Sequence, residues 1–224
     1  TAWIQRGATI VGESSVDLSG ISLSMPSPNY VAIGAANNAG NGSQSGHVRI
    51  YNWNGANWVQ VGSDLDGEAA NNRFGASVSM PDSITLAVGA NWNNEVGNMA
   101  GHTRIFEWDG VNWNQKGIDI DGEAADDQSG YSVDMPSNKV VAIGALFNAG
   151  TGFGAGHTRV YSLCESNSVD LISACDSYTW IDGNTYTSSS NTATHVIPNA
   201  AGCDSTITLD LTINSVSQLP QSEF

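Results

Sequence analysis

One interval dominates this sequence: the same residues return every 55 positions, three times, without an insertion or a deletion. The repeated elements are a Met-Pro pair, a Gly-His pair, a tryptophan and a Gly-Ala pair. They are Met25-Pro26, Met80-Pro81 and Met135-Pro136; Gly46-His47, Gly101-His102 and Gly156-His157; Trp3, Trp58 and Trp113; Gly34-Ala35, Gly89-Ala90 and Gly144-Ala145. Such a constant register indicates that one structural unit has been duplicated.

Each unit has the pattern of short β-strands. In the middle copy, the predicted strands are Ala76–Met80, Ile84–Val88, His102–Trp108 and Asn112–Lys116. Asp109-Gly110 separates the last two, and Asn and Asp followed by Gly favour tight hairpin turns because these residues tolerate positive φ. Four short antiparallel strands per unit predict an all-β fold made of β-propeller blades. A β-solenoid is the alternative, although its repeats are usually shorter and contain fewer hairpins.

The phase of the repeat also carries information. It predicts that the chain opens on a fourth strand, Trp3–Gly7, and ends its repeats on a third strand, Gly156–Leu163. That phase suits a ring in which an end strand completes the blade of the other end. Known propellers have about 4–8 blades, so we expect further blades, either from an upstream part of the natural chain or from another chain.

Composition limits the function classes. The 22 acidic and 7 basic residues give a net charge of −15, which disfavours nucleic acids and anionic membrane surfaces. No apolar run approaches the roughly 20 residues of a membrane helix, so no membrane insertion is expected. Lys and Arg are absent beyond residue 163. We therefore predict blades over 1–163, a small disulfide-containing, β-sandwich-like module over 164–216, and a linker or tail over 217–224.

Two resemblances sharpen this interpretation. Phe74-Gly75 followed by Val88-Gly89-Ala90 resembles the FG-GAP repeat of integrin-type propellers, and Asp119–Tyr131 is similar to bacterial versions of it. The stretches Cys175–Tyr186 and Ala201–Ile213 are similar to a module of large Bacteroidetes surface proteins, which are commonly exported by type IX secretion. These resemblances imply a secreted or cell-surface location.

The cysteines lie in the last third of the chain. Cys175 and Cys203 are expected to pair, since they would close a loop of moderate size in an oxidising compartment. Cys164 is then left over. It would pair with a residue outside this sequence or replace Cys175 as the partner.

Two sets of repeated polar residues are candidate sites. His47, His102 and His157 occupy one repeat position, and Arg49, Arg104 and Arg159 follow two residues later. A metal or catalytic role is conceivable, but copies of one residue in every unit favour a framework role, with hydrogen bonds to Glu13, Glu68 or Glu123. The second set comprises Asp64, Asp66, Asp119 and Asp121. Asp/Gly-rich loops offer the oxygen ligands that calcium prefers, and solvated turns are the alternative.

Residues that differ between copies are the candidate ligand contacts. Trp92 and Phe147 stand where the first copy has Asn37, and Phe153 lies in the same Asn/Gly-rich connection. Variable loops on a rigid frame commonly carry binding; packing against the next blade is the alternative. No catalytic motif is visible. The sequence thus predicts a non-enzymatic adhesion module for a surface glycan or protein. A propeller hydrolase or lyase and a ligand-free spacer remain the alternatives.

Overall fold

A computed structural model describes residues 1–163, 166–198 and 204–214. The described residues form strands, turns and loops and contain no helix, so they include no helical segment that could span a membrane. The all-β prediction is confirmed. The chain divides into two compact units, Thr1–Ser162 and a second unit that begins at Leu163.

The first unit contains three antiparallel sheets, one per repeat. The first repeat sheet consists of β1 (Ser22–Ser27), β2 (Tyr30–Ala35), β3 (His47–Trp53), β4 (Trp58–Gln60) and β5 (Leu65–Asp66). The second repeat sheet consists of β6 (Phe74–Ser79), β7 (Thr85–Ala90), β8 (His102–Trp108), β9 (Trp113–Gln115) and β10 (Ile120–Asp121). The third repeat sheet consists of β11 (Ser129–Ser137), β12 (Val140–Ala145) and β13 (His157–Ser162).

The third sheet has three strands among the described residues, as expected from repeats that end on the third strand. Two details of the sequence-based prediction are wrong. The first two sheets have five strands rather than four, because two-residue strands β5 and β10 pair with β3 and β8. Trp3–Gly7 is not a strand, and the Trp3 side chain is fully exposed. Strands β4 and β9 each pair with the third strand of their own sheet, β3 and β8, which comes immediately before them in the chain. The described sheets form no closed ring.

The two glycines of each motif explain how consecutive sheets pack. The carbonyl of Gly75, at the start of the second sheet, lies directly against Gly34 of the first, and a Cβ at Gly34 would collide with it. Gly130 and Gly89 repeat this contact one copy later. Glycine is required there because the backbones approach too closely for any side chain.

Serines reinforce the same interface. Ser22 Oγ donates to the Gly75 carbonyl at 2.7 Å, and Ser77 Oγ donates to the Gly130 carbonyl at 2.7 Å. A second pair of bonds runs from the backbone N–H groups of Met80 and Met135 to the hydroxyls of Ser24 and Ser79. Apolar side chains fill the space beside these bonds. The core of the first two sheets contains Ile50, Phe74, Met80, Leu86 and Phe106, and that of the last two contains Ile105, Met135, Val141 and Ile143.

The second unit has a different topology. Strand β14 (Ser166–Cys175) pairs parallel with β18 (Asp204–Asn214), which pairs antiparallel with β17 (Thr194–Pro198). Strands β15 (Tyr178–Thr179) and β16 (Thr185–Tyr186) form a separate hairpin. Trp180 is buried with Leu209 and Leu211 in its core.

The disulfide stays a prediction. Cys175 ends β14 and is exposed. Its expected partner Cys203 lies outside the described residues, as do Cys164 and the expected tail 217–224.

Candidate functional site

The repeated histidines lie at the start of the third strand of each sheet, where carboxylates surround them. In the first histidine cluster, defined as Glu13, His47 and Asp64, His47 Nδ1 lies 3.7 Å from Glu13 Oε2 and 3.6 Å from Asp64 Oδ2. The His47 side chain is 1% exposed, and neither ring nitrogen has a hydrogen-bond partner. The cluster therefore combines a buried imidazole with two carboxylates from different segments.

The second histidine cluster, one repeat later, consists of Glu68, Glu95, His102 and Asp119. His102 Nδ1 lies 3.1 Å from Asp119 Oδ2, and its side chain is 1% exposed. Burial lowers the pKa of His102 from 6.5 to about 4; Arg104 acts in the same direction and Asp119 opposes it. The imidazole is therefore neutral at neutral pH. Its Nδ1 has Asp119 within hydrogen-bond distance, but neither ring nitrogen has the geometry of a full hydrogen bond.

An arginine holds each glutamate in place. Arg104 Nη1 donates to Glu68 Oε1 at 2.9 Å, and Arg49 Nη1 donates to Glu13 Oε1 at 3.4 Å. A glutamine does the same for the aspartate of the first cluster, since Gln60 Nε2 donates to Asp64 Oδ1 at 2.6 Å. In the first cluster the oxygens that face the histidine are the other ones, Glu13 Oε2 and Asp64 Oδ2. Glu13 Oε2 also accepts a long hydrogen bond of 3.4 Å from the Asn38 side chain.

The third repeat carries an incomplete copy. His157 Nδ1 lies 3.8 Å from Glu123 Oε2, and both side chains are more exposed than in the earlier copies. Position 174, where the repeat would place the aspartate, holds Ala174 in β14. Glu123 forms an ion pair with Arg159 at 3.2 Å.

The structure separates the four aspartates that the sequence suggested as calcium ligands. Asp64 and Asp119 belong to different histidine clusters, whereas Asp66 and Asp121 lie outside both. Burial, with the neighbouring carboxylates, raises the pKa of Asp66 and of Asp121. Glu95 was missed by sequence reasoning because the other copies have glycine there, Gly40 and Gly150.

The candidate ligand contacts are only partly brought together. Phe147 and Phe153 line one pocket of about 670 Å³, which we call the Phe pocket, with Glu123–Gln128 and Asn148–Gly150. Phe153 is 99% exposed and Phe147 is 44% exposed. Buried Asp127 forms the floor, and its Oδ2 accepts bonds from the Ala124 N–H and the Asn148 side chain.

Trp92 lies in the second repeat and does not join the Phe pocket. The Arg73 guanidinium stacks over the Trp92 ring, 4.5 Å from the centroid. In the third repeat the position equivalent to Arg73 holds Gln128, which lines the Phe pocket together with Phe147. A cation held over an indole stabilises both side chains, and the role of Trp92 as a ligand contact stays a prediction.

No family model and no curated protein matches this chain. Function is therefore inferred from the histidine clusters, the Phe pocket and the open face of the third sheet.

Proposed function

We propose that this chain is a non-catalytic interaction module of a secreted or cell-surface bacterial protein, and that its Phe pocket binds a neutral glycan. The observation that carries the proposal is the pair Phe147 and Phe153 at the mouth of a pocket, with Phe153 almost entirely in solvent. A phenylalanine exposed to that degree beside a concave surface gains from covering by a ligand.

The lining of the pocket suits a sugar. Aromatic rings offer flat apolar faces on which the C–H groups of a pyranose can pack. The rim adds an exposed carboxylate at Asp126 and a half-buried amide at Gln128, which can bind hydroxyl groups. A net charge of −15 repels anionic sugars. These features favour neutral glycans over sialylated or sulfated ones.

The pocket offers little for catalysis. Its buried carboxylate, Asp127, already accepts two hydrogen bonds within its own loop. General acid–base catalysis requires a group positioned to exchange a proton with the substrate, and Asp127 is instead occupied in holding the loop. A binding role fits this arrangement better than a hydrolase or lyase role.

We further propose that the repeat sheets are propeller blades and that additional blades cover the open face of the third sheet. Ser132 and Gly144 hold the positions that contact the next sheet in the earlier copies. Here they line an open groove of about 420 Å³ with Tyr131 and His157. This groove and the Phe pocket share no residue. Blade docking and glycan binding can therefore be tested separately.

A glycan array of neutral and acidic glycans, probed with the full chain, tests the binding role. We expect neutral glycans to bind and Phe153→Ala to abolish binding without changing the melting temperature, because the side chain packs against little. The control is Ile118→Ala, which removes an equally solvent-exposed side chain, 88% exposed, outside the Phe pocket.

Three results would count against the proposal. Binding that survives Phe153→Ala would place the site elsewhere. Shortening of the bound glycan would indicate an enzyme. A change in particle mass on Phe153→Ala, with no glycan bound by either form, would mean that the pocket contacts protein.

A further inference from the structure

We propose that each of the two histidine clusters binds one divalent first-row transition-metal ion, with Zn²⁺ as the ion to test. The ligands would be Glu13, His47 and Asp64 in the first cluster, and Glu68, Glu95, His102 and Asp119 in the second. Within each cluster, one ligand atom from every residue lies within 4.8 Å of the others. This inference is independent of the glycan-binding role.

The strongest observation is that the two histidines are buried without hydrogen-bond partners. His47 and His102 are both buried, and all four of their ring nitrogens lack a hydrogen-bond partner. Buried polar groups without partners are rare and call for an explanation such as a bound ion. In both residues Nδ1 faces the carboxylates. A cation held between Nδ1 and these carboxylate oxygens would give the buried nitrogen a partner.

The carboxylates supply more negative charge than the neighbouring cation balances. The first cluster has two carboxylates beside Arg49, and the second has three beside Arg104. Each arginine binds the outer oxygen of its glutamate, as described above. One divalent ion would balance the excess of two negative charges in the second cluster and would more than balance the single excess charge in the first.

The spacing and type of the ligand atoms favour zinc over calcium. Zinc bonds of 2.0–2.2 Å at tetrahedral angles place ligand atoms about 3.3–3.6 Å apart. The distances from His47 Nδ1, 3.6 and 3.7 Å, agree with this spacing, whereas the 3.1 Å from His102 Nδ1 to Asp119 would lengthen by a few tenths of an ångström on binding. Calcium takes six to eight oxygens, whereas these clusters offer one nitrogen and two or three carboxylates. Imidazole is a ligand typical of zinc and its neighbours.

The third repeat provides an internal control. His157 has Glu123 nearby, but position 174 holds alanine instead of aspartate, and within the described part of the chain no cluster of three ligand residues includes His157. We therefore expect two ions per chain rather than three. We also expect tighter binding at the second cluster, which has four ligand residues, than at the first, which has three.

Isothermal titration of the metal-free full chain with Zn²⁺ tests the inference. We expect a stoichiometry of two, falling to one in His102→Gln and staying at two in His157→Gln. Glu95→Gln alters an exposed side chain and should keep the fold while weakening one of the two sites. Titration with Co²⁺ adds a spectroscopic readout, because a tetrahedral site with nitrogen and oxygen ligands gives a visible absorption band.

Opposite results would overturn the inference. They are a failure to bind at micromolar concentrations, a stoichiometry that His47→Gln and His102→Gln leave unchanged, or a stoichiometry of three. In the first two cases the histidines would serve as framework residues, with Nδ1–H directed at the aspartate. A stoichiometry of three would mean that zinc binds where no cluster of three ligand residues is present. Should His102→Gln unfold, Glu95→Gln and the cobalt spectrum still decide the question.

Discussion

The second and third repeat sheets carry nearly the same residues, but among the described residues only the second has another repeat sheet on each side. All six residues of β7 are buried, whereas burial alternates along β12 with the two-residue period of a sheet that is open on one face. Gly89 meets the carbonyl of the next sheet, and Gly144 meets only Ser132 of its own sheet. A repeated residue therefore contributes to stability through its contacts with the neighbouring copy. Identical residues in the second and third sheets are expected to differ in their contribution to the free energy of unfolding.

The largest difference in stability is expected when a side chain is added at the two equivalent glycines. Gly89→Val would drive its side chain into the Gly130 carbonyl, and we expect a loss of more than about 3 kcal/mol of unfolding free energy. The matched Gly144→Val should cost far less, since only the movable Ser132 hydroxyl is displaced. Urea unfolding of both variants measures the difference. Equal losses would show that the third sheet is also covered.

A second test uses pH. His102 has a folded pKa of about 4 against 6.5 in the unfolded chain, so the unfolded state binds the proton first as pH falls. Stability should be full above pH 6.5 and decline towards pH 4, by roughly 3 kcal/mol at most. Chemical unfolding between pH 7 and 4, with a chelator present, measures the slope. His102→Gln should flatten the slope, and the matched His157→Gln should leave the His102 contribution in place.

The smallest effect is expected at the serines. Ser77→Ala removes the hydrogen bond to the Gly130 carbonyl and should cost about 1 kcal/mol. Ser132→Ala, at the equivalent position of the open face, should be nearly neutral. Thermal unfolding of the pair measures this difference. A cost at Ser132 as large as that at Ser77 would indicate that a further blade is present on the third sheet.

The sequence predicted the strands well where the repeat made them visible. His102–Trp108 is a strand over its whole predicted length, and the Asp109-Gly110 turn follows it. The two-residue strands β5 and β10 were missed because two residues carry no periodicity. Trp3–Gly7 was wrongly predicted as a strand, because the residue pattern does not reveal whether a strand is available to pair with it.

Other features left no trace in residue type. Val16 adopts positive φ at the position that Asn71 and Asp126 occupy in the later copies. Leu18 and Arg73 do so at the position that Gln128 occupies in the third copy. These conformations are uncommon for such residues, and the hydrogen bonds of the Arg73 and Gln128 N–H groups to the preceding repeat help to hold them. For the candidate site, the sequence indicated Asp64 and Asp119 as metal ligands but did not connect them with the histidines, which approach only in the folded sheets.

The matching glycine and serine contacts have a consequence for how such a chain can change length. Ser22 meets Gly75 as Ser77 meets Gly130. Excision of one whole copy would place Ser22 against Gly130 and recreate a junction that already exists. Recombination in steps of 55 residues therefore keeps the same serine and glycine contacts between neighbouring sheets. A gain or loss of any other length would shift the register of all the sheets that follow.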